Sequence, residues 1–341
     1  MCIRDRRISA VFAGERPDHV PVMLHSFMMA AREAGHVFSE WRMDPQKIAS
    51  SFIRSVETYD YDGVLVDLDT ATVAGSLGVP VEQPRDEPAL SHGTALQDLA
   101  DVDALEPPDV GADPSVQVWL EAVKLLVAHF GEEKYVRGNC DQAAFSLASM
   151  MRGPVEWMMD LTDPDNRERA VQLLDHCTEA HLQLVRLMAE AGAHMVSCGD
   201  SPAGPSLVSP KMYREYALPW EKRIVDEAHG LGVPYVIHIC GRTEPILDDM
   251  ISTGADGLDL DYQTDARVAH DRMKDRTVFV GNLDPSEVIA RGTPELVEEK
   301  SRELVDIFAD TPRFVLNAGC AIPADTPPEN IRAMIRAARA G

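Results

Sequence analysis

The stretch Tyr235-Val236-Ile237-His238-Ile239-Cys240-Gly241 decides the fold. Aromatic and β-branched residues dominate it and a glycine ends it, the pattern of a short buried strand. The same composition, each time closed by small or polar residues, recurs at Val20 to Leu24, Gly63 to Asp69, Tyr135 to Cys140, His194 to Asp200, Gly257 to Tyr262, Thr277 to Leu283 and Phe314 to Cys320. Between most of these lie helix-length stretches with apolar residues at i, i+3 and i+4: Val116 to Phe130, Arg167 to Ala191, Pro210 to Leu231, Pro245 to Thr253 and Pro294 to Ala309, with Pro327 to Ala340 last. Asp163-Pro164, Ser209-Pro210, Asp284-Pro285 and Thr293-Pro294 each place a capping side chain before a proline at a helix start. Alternating strands and helices imply a parallel sheet, and eight such units imply closure. The expected fold is α/β, a single (β/α)8 TIM barrel over residues 7–341.

The alternation is weakest between residues 70 and 115. Gly78 to Leu90 is rich in proline and reads as an inserted loop or hairpin, near residues 78–93, followed by the acidic stretch Leu96 to Val110. Neither has the composition of a linker between independent domains. Met1 to Arg6 reads as a non-native or disordered leader without function.

The chain has 341 residues, more than one core usually holds, but α/β barrels are the standing exception. Hydrophobic residues make up 45% and charged residues 26%, ample for a core. A formal net charge of −24 excludes nucleic acid as a partner over any broad surface, because that binding depends on Lys and Arg neutralising phosphates. No apolar run is long enough to span a bilayer, and the N-terminus lacks the hydrophobic core of a secretory signal; the expectation is a cytoplasmic protein without a membrane partner. Cysteines at 2, 140, 177, 198, 240 and 320 are too sparse for a disulfide framework and read as reduced thiols.

Side chains alternate across a strand, so Ile237 and Ile239 face the outer helices while Val236, His238 and Cys240 face the barrel interior. His238 and Cys240 then stand at the C-terminal end, where barrels of this class carry their sites, and Cys320 ends the eighth strand on the same rim. An imidazole and two thiolates make three metal ligands with a fourth position open, the arrangement of a catalytic site. The competing reading is a hydrogen-bonded core histidine and two small buried thiols. Asp259 and Asp261 share one face of the neighbouring strand. Cys140 and Asp141 follow the third strand, and Cys198 stands before Gly199-Asp200 at the end of the fourth; they line the pocket or pack at its rim, with Asp200 the stronger pocket candidate. Cys177, inside a long helix, reads as core. The pairs Met28-Met29, Met150-Met151 and Met158-Met159 read as core or pocket wall, not as a copper site.

His-x-Cys-Gly at 238–241, Gly281-Asn282-Leu283-Asp284-Pro285, and Gly-Cys-x-Ile-Pro-x-Asp-Thr-Pro-x-Glu-Asn-Ile at 319–331 resemble the uroporphyrinogen decarboxylase superfamily. Within it they are most similar to the zinc-dependent methylcobalamin:coenzyme M methyltransferase branch. The similarity runs from Arg6 to the last helix and is densest after Gly192. The resemblance implies a (β/α)8 barrel that binds Zn2+ through His238, Cys240 and Cys320. It also implies a methyl donor, methylcobalamin or another methylated corrinoid, supplied by a separate corrinoid protein. A thiol would enter as the fourth zinc ligand and be held as thiolate for attack on the methyl group. Asp261 occupies an acidic position in the family, as a fourth ligand displaced by substrate or an orienting partner, or else as a cap of the strand end. Asp200, Asp259, Cys140 and Asn282 are placed with the substrate pocket. Two departures matter. The Arg-Gln-Ala-Gly-Arg motif of the decarboxylases is replaced by Leu24-His25-Ser26-Phe27-Met28-Met29, which disfavours a substrate bearing several carboxylates. Relatives carry Gly-Pro-Phe-Thr near Cys140-Asp141. The expectation is a methyltransferase of one-carbon metabolism. The rival readings are a decarboxylase or lyase on the same barrel, and a non-enzymatic barrel that binds a corrinoid or partner and uses structural zinc.

Overall fold

The computed structural model describes residues 6–340, so the expectation for Met1 to Arg6 lies outside the described residues, but for the backbone of Arg6. All eight expected strands form: β1 (Met23–Leu24), β2 (Gly63–Val66), β3 (Tyr135–Gln142), β4 (Met195–Gly199), β5 (Tyr235–Ile239), β6 (Gly257–Leu260), β7 (Val278–Leu283) and β8 (Phe314–Ala318). Each pairs in parallel with the next in chain order. A bridge from Val22 to Leu316 brings the last strand beside the first. The result is a (β/α)8 barrel wrapped by helices.

Where the strands end differs from the reading of composition. β2 stops at Val66 instead of Asp69 because two carboxylates draw the following backbone away from the ladder. Asp67 Oδ1 accepts from the Leu68 N–H, and Asp69 Oδ1 from the N–H groups of Ala71 and Thr72. The expected helix Pro210 to Leu231 is two, Pro210–Tyr216 and Leu218–Gly230. Pro219 has no N–H to continue the first and its ring would clash with the preceding turn, so Ala217 leaves helical geometry at φ −123°. The four capping side chains perform as read: Asp163, Ser209, Asp284 and Thr293 each accept from a first-turn N–H. The proline-rich insertion is an antiparallel hairpin, Val81–Glu82 against Leu90–Ser91. Among the described residues no helix is long and apolar enough to cross a membrane.

The interior is layered. Helix Arg6–Phe12 closes the N-terminal end, where Ile8 and Val11 pack with Met23, Tyr135, Met195, Val236, Val278, Val280 and Val315. Gly63 leaves room for that plug, since a Cβ there would fall 2.6 Å from Ile8 Cδ1. Above this apolar layer Arg137 of β3 reaches across to Asp259 of β6, Nη1 to Oδ2 at 2.8 Å, both side chains buried. A buried ion pair adds little net stability, but losing one partner strands the other's charge. We expect Arg137→Met to lower stability to urea by about 3–5 kcal/mol, and Arg137→Met/Asp259→Leu to recover most of that loss. Equal stability of the single variant and the parent protein would rule out this role.

Outside the barrel wall, Asp200 and Glu221 form a second buried polar group. The Ser146 hydroxyl and N–H donate to Asp200 Oδ1, and Tyr213 donates to Glu221 Oε2. Burial, aided by the neighbouring Asp200 carboxyl, pushes Glu221 up to about 8, so it holds a proton at neutral pH. The ordinary glutamate value is 4.5, so in the interval between the two the folded chain binds a proton that the unfolded chain has lost. Stability should therefore fall as pH rises from about 5 to about 8. Glu221→Gln, which keeps a neutral donor, should flatten that slope in urea unfolding followed by circular dichroism. An unchanged slope would show that Glu221 does not carry the dependence.

Candidate active site

Three donor atoms converge at the C-terminal end of the barrel. His238 Nε2 lies 3.1 Å from Cys240 Sγ, Cys240 Sγ lies 4.0 Å from Cys320 Sγ, and all three fall within 4.8 Å of one another. The strand pleat does this work for β5: Ile237 and Ile239 are fully buried in the outer core, and Val236 lies in the inner one, as the alternation required. The His238 ring is oriented by its own neighbour strand, Nδ1 donating to the Asp259 carbonyl at 2.8 Å, which turns Nε2 toward Cys240. The Ser201 hydroxyl accepts from the Cys240 N–H at 3.2 Å. Cys320 reaches the group because Gly319 lets two backbones touch: a Cβ there would stand 2.4 Å from the Tyr262 nitrogen.

Without a metal the three side chains titrate as one unit. A hydrogen bond from Cys320, together with the His238 ring, holds Cys240 far below the usual thiol range. Cys320, donating to that thiolate and buried, is held far above it. Burial works against a proton on His238, but the Cys240 thiolate and Asp259 outweigh it and raise the ring to about 9.

The three donors stand in a cavity of about 470 Å³, in the range of small-molecule sites. Its apolar wall includes Phe27, Met28, Leu65 and, from the inserted hairpin, Pro88 to Leu90. Four carboxylates line it, Asp67, Asp69, Glu87 and Asp259, and among the described residues Arg137 is the one guanidinium. Asp259 therefore lies where expected. Cys198 also lines the cavity, whereas Asp200, the stronger candidate beforehand, is turned into the Ser146–Glu221 group behind the wall. Cys140 is fully buried in the outer core, on the helix side of its strand. Asn282 donates to the carbonyls of Asp261 and Thr264 and braces the β6 end instead of facing the cavity. Asp261 is likewise corrected: its Oδ1 accepts from the Gln263 N–H at 2.8 Å, and it stands outside both the donor group and the cavity wall. It has the capping role. Cys177 is core, 3.6 Å from Met151 Sδ.

Sequence reasoning missed His25 and Asp67, which face the same cavity 2.7 Å apart. A signal existed, since each is the first residue past the C-terminal end of its strand, the position from which barrel sites are built.

Residues 4–341 match the uroporphyrinogen decarboxylase (URO-D) family. The chain is 30% identical over 311 residues to methylcobamide:CoM methyltransferase MtbA of Methanosarcina mazei, covering 90% of this chain and 88% of that protein. It is 29% identical to MtbA of Methanosarcina acetivorans, with the same coverage. Among solved structures, a methyltransferase from Methanosarcina mazei superposes with a TM-score of 0.89 at 24% identity, covering 99% of this chain and 98% of that one. This likeness extends the barrel fold over the whole molecule. The chain belongs to the uroporphyrinogen decarboxylase family.

Proposed function

We propose that this protein is a zinc-dependent methyltransferase that moves a methyl group between a methylated corrinoid, carried by a partner protein, and a thiol bound in the cavity. The observation that carries this reading is the convergence of one imidazole and two thiols on an open cavity, with no fourth protein donor in the group among the described residues. The names of the relatives at 29–30% identity point the same way.

The donor set suits zinc. Tetrahedral zinc with bonds of about 2.3 Å to sulfur and about 2.0 Å to nitrogen separates two thiolates by about 3.8 Å and a thiolate from an imidazole by about 3.5 Å. The separations here, 4.0 Å and 3.1 Å, bracket those values. His238, Cys240 and Cys320 would hold the ion. Bound there, zinc supplies a Lewis acid that keeps a ligated thiol as thiolate at neutral pH. The chain's own residues do the rest. The Asp259 carbonyl fixes the His238 tautomer, Ser201 and Gly319 seat the two sulfurs, and the apolar wall of Phe27, Met28 and Leu90 limits water around a nucleophile that water would otherwise solvate. In the transfer a sulfur–carbon bond forms as the methyl–cobalt bond breaks, and the electron pair of the broken bond stays with cobalt.

The cavity charge speaks against decarboxylation of an acidic macrocycle. Such a substrate needs cations for its carboxylates, and the Arg137 guanidinium is engaged by Asp259. A closed structural zinc site needs a fourth protein ligand, and Asp261, the candidate, caps its own turn.

Purified protein should contain close to one zinc per chain, and Cys320→Ser should lose it to a chelator that leaves the parent protein loaded. Zinc-loaded protein should demethylate methylcobalamin in the presence of a thiol, seen in the cobalamin spectrum. His238→Ala and Cys320→Ser should slow this on the order of 100-fold or more. Equal zinc content in Cys320→Ser, or no transfer to any of a neutral, an anionic and a cationic thiol, would overturn the reading.

A further inference from the structure

We propose that His25, set by Asp67, is the base that takes the proton of the acceptor thiol; this rests on the thiol-transfer reading above. Asp67 acts as an acceptor on both oxygens. Oδ1 receives the Asn139 side-chain amide at 2.8 Å and the Leu68 N–H at 2.9 Å, and Oδ2 faces His25 Nε2 at 2.7 Å. With both neighbours of Oδ1 donating, Nε2 is the ring nitrogen that carries hydrogen, and the Nδ1 lone pair is free to accept. Among the described residues no hydrogen bond occupies Nδ1.

The dyad is built as a fixed part of the metal-binding rim. The His25 N–H donates to Asn317 Oδ1 at 3.2 Å, and the His25 carbonyl accepts from the Ile322 N–H at 2.8 Å, so the segment carrying Cys320 clamps the His25 backbone from both sides. The Phe27 ring lies 5.5 Å from the imidazole. The two side chains of the dyad are 16% and 6% exposed, and both line the cavity that holds His238, Cys240 and Cys320. A buried hydrogen-bonded carboxylate behind an imidazole that faces a substrate cavity is the constellation of a general base, with the carboxylate fixing the tautomer and stabilising the imidazolium.

The step is a proton transfer. The S–H bond of the incoming thiol breaks, its electron pair stays on sulfur, and the proton passes to His25 Nδ1. The resulting imidazolium keeps its Nε2 hydrogen on Asp67, and the extra proton returns to solvent after the thioether leaves. Over the cycle thiol and methylated corrinoid give thioether, a corrinoid whose cobalt keeps the electron pair, and one proton.

The test counts protons. 2-Mercaptoethanol and 2-mercaptoethanesulfonate are titrated calorimetrically into zinc-loaded protein in buffers of differing ionisation enthalpy. The parent protein should release well under one proton to buffer per thiol bound, because His25 retains it, and His25→Gln should release about one while still binding thiol. Asp67→Asn makes the same test where His25→Gln fails to fold or to hold zinc. The two donors on Oδ1 keep the new amide's oxygen on their side, so its NH2 faces Nε2, the ring hydrogen moves to Nδ1, and the thiol proton should again appear in buffer. Equal proton release by the parent protein and the variants overturns the proposal while thiol binding stands. Absence of thiol binding to the zinc-loaded parent protein overturns the transfer reading and the proposal with it.

Discussion

Arg137 and Asp259 meet inside a barrel whose lower layer is packed with hydrophobic side chains, and both line the cavity above it. A carboxylate in such surroundings needs a cation, and a cation this deep needs a carboxylate, so each holds the other in place. The pair separates the apolar plug from the cavity and sets its floor. The same residue that anchors it also orients the His238 imidazole, because the Asp259 carbonyl accepts from His238 Nδ1. The position of the three converging donors thus depends on an interaction one layer below them.

The rim is assembled from strands far apart in the chain. His25 follows β1, Asp67 follows β2, Asn139 belongs to β3, His238 and Cys240 to β5 and its end, and Cys320 follows β8. Closure of the barrel through Val22 and Leu316 brings β8 beside β1, and this places His25 next to the segment that carries Cys320. A site so distributed sets the His238, Cys240 and Cys320 donors beside the His25–Asp67 pair, each held by its own hydrogen bonds.

Much of this was legible beforehand. The eight strands, the capped helix starts and the inserted hairpin follow from local composition, because burial of short β-rich segments and the chemistry of Asp-Pro or Ser-Pro starts are local properties. The inward direction of His238 and Cys240 follows from the pleat alone. What failed were judgements about residues at strand ends or just past them. Asp200, Asp261 and Asn282 share a composition with cavity residues, but each is engaged by a neighbour that sequence does not place: Ser146 and Glu221, the Gln263 N–H, and the carbonyls of Asp261 and Thr264. Cys140 lies on the outward side of β3, whose register shifts between Asn139 and Gln142, and local pattern does not reveal that shift.

The sequence by itself determined the barrel, its family, and the His-x-Cys plus distant Cys donor set, since periodicity and motif spacing are written along one dimension. Tertiary structure decided which carboxylates face the cavity and which brace its wall. It also decided that the Arg137 guanidinium in the cavity is engaged and that His25 is aimed by Asp67. The physical reason is that a polar side chain at a strand end takes whatever partner the fold brings within about 3 Å, and that partner comes from another strand.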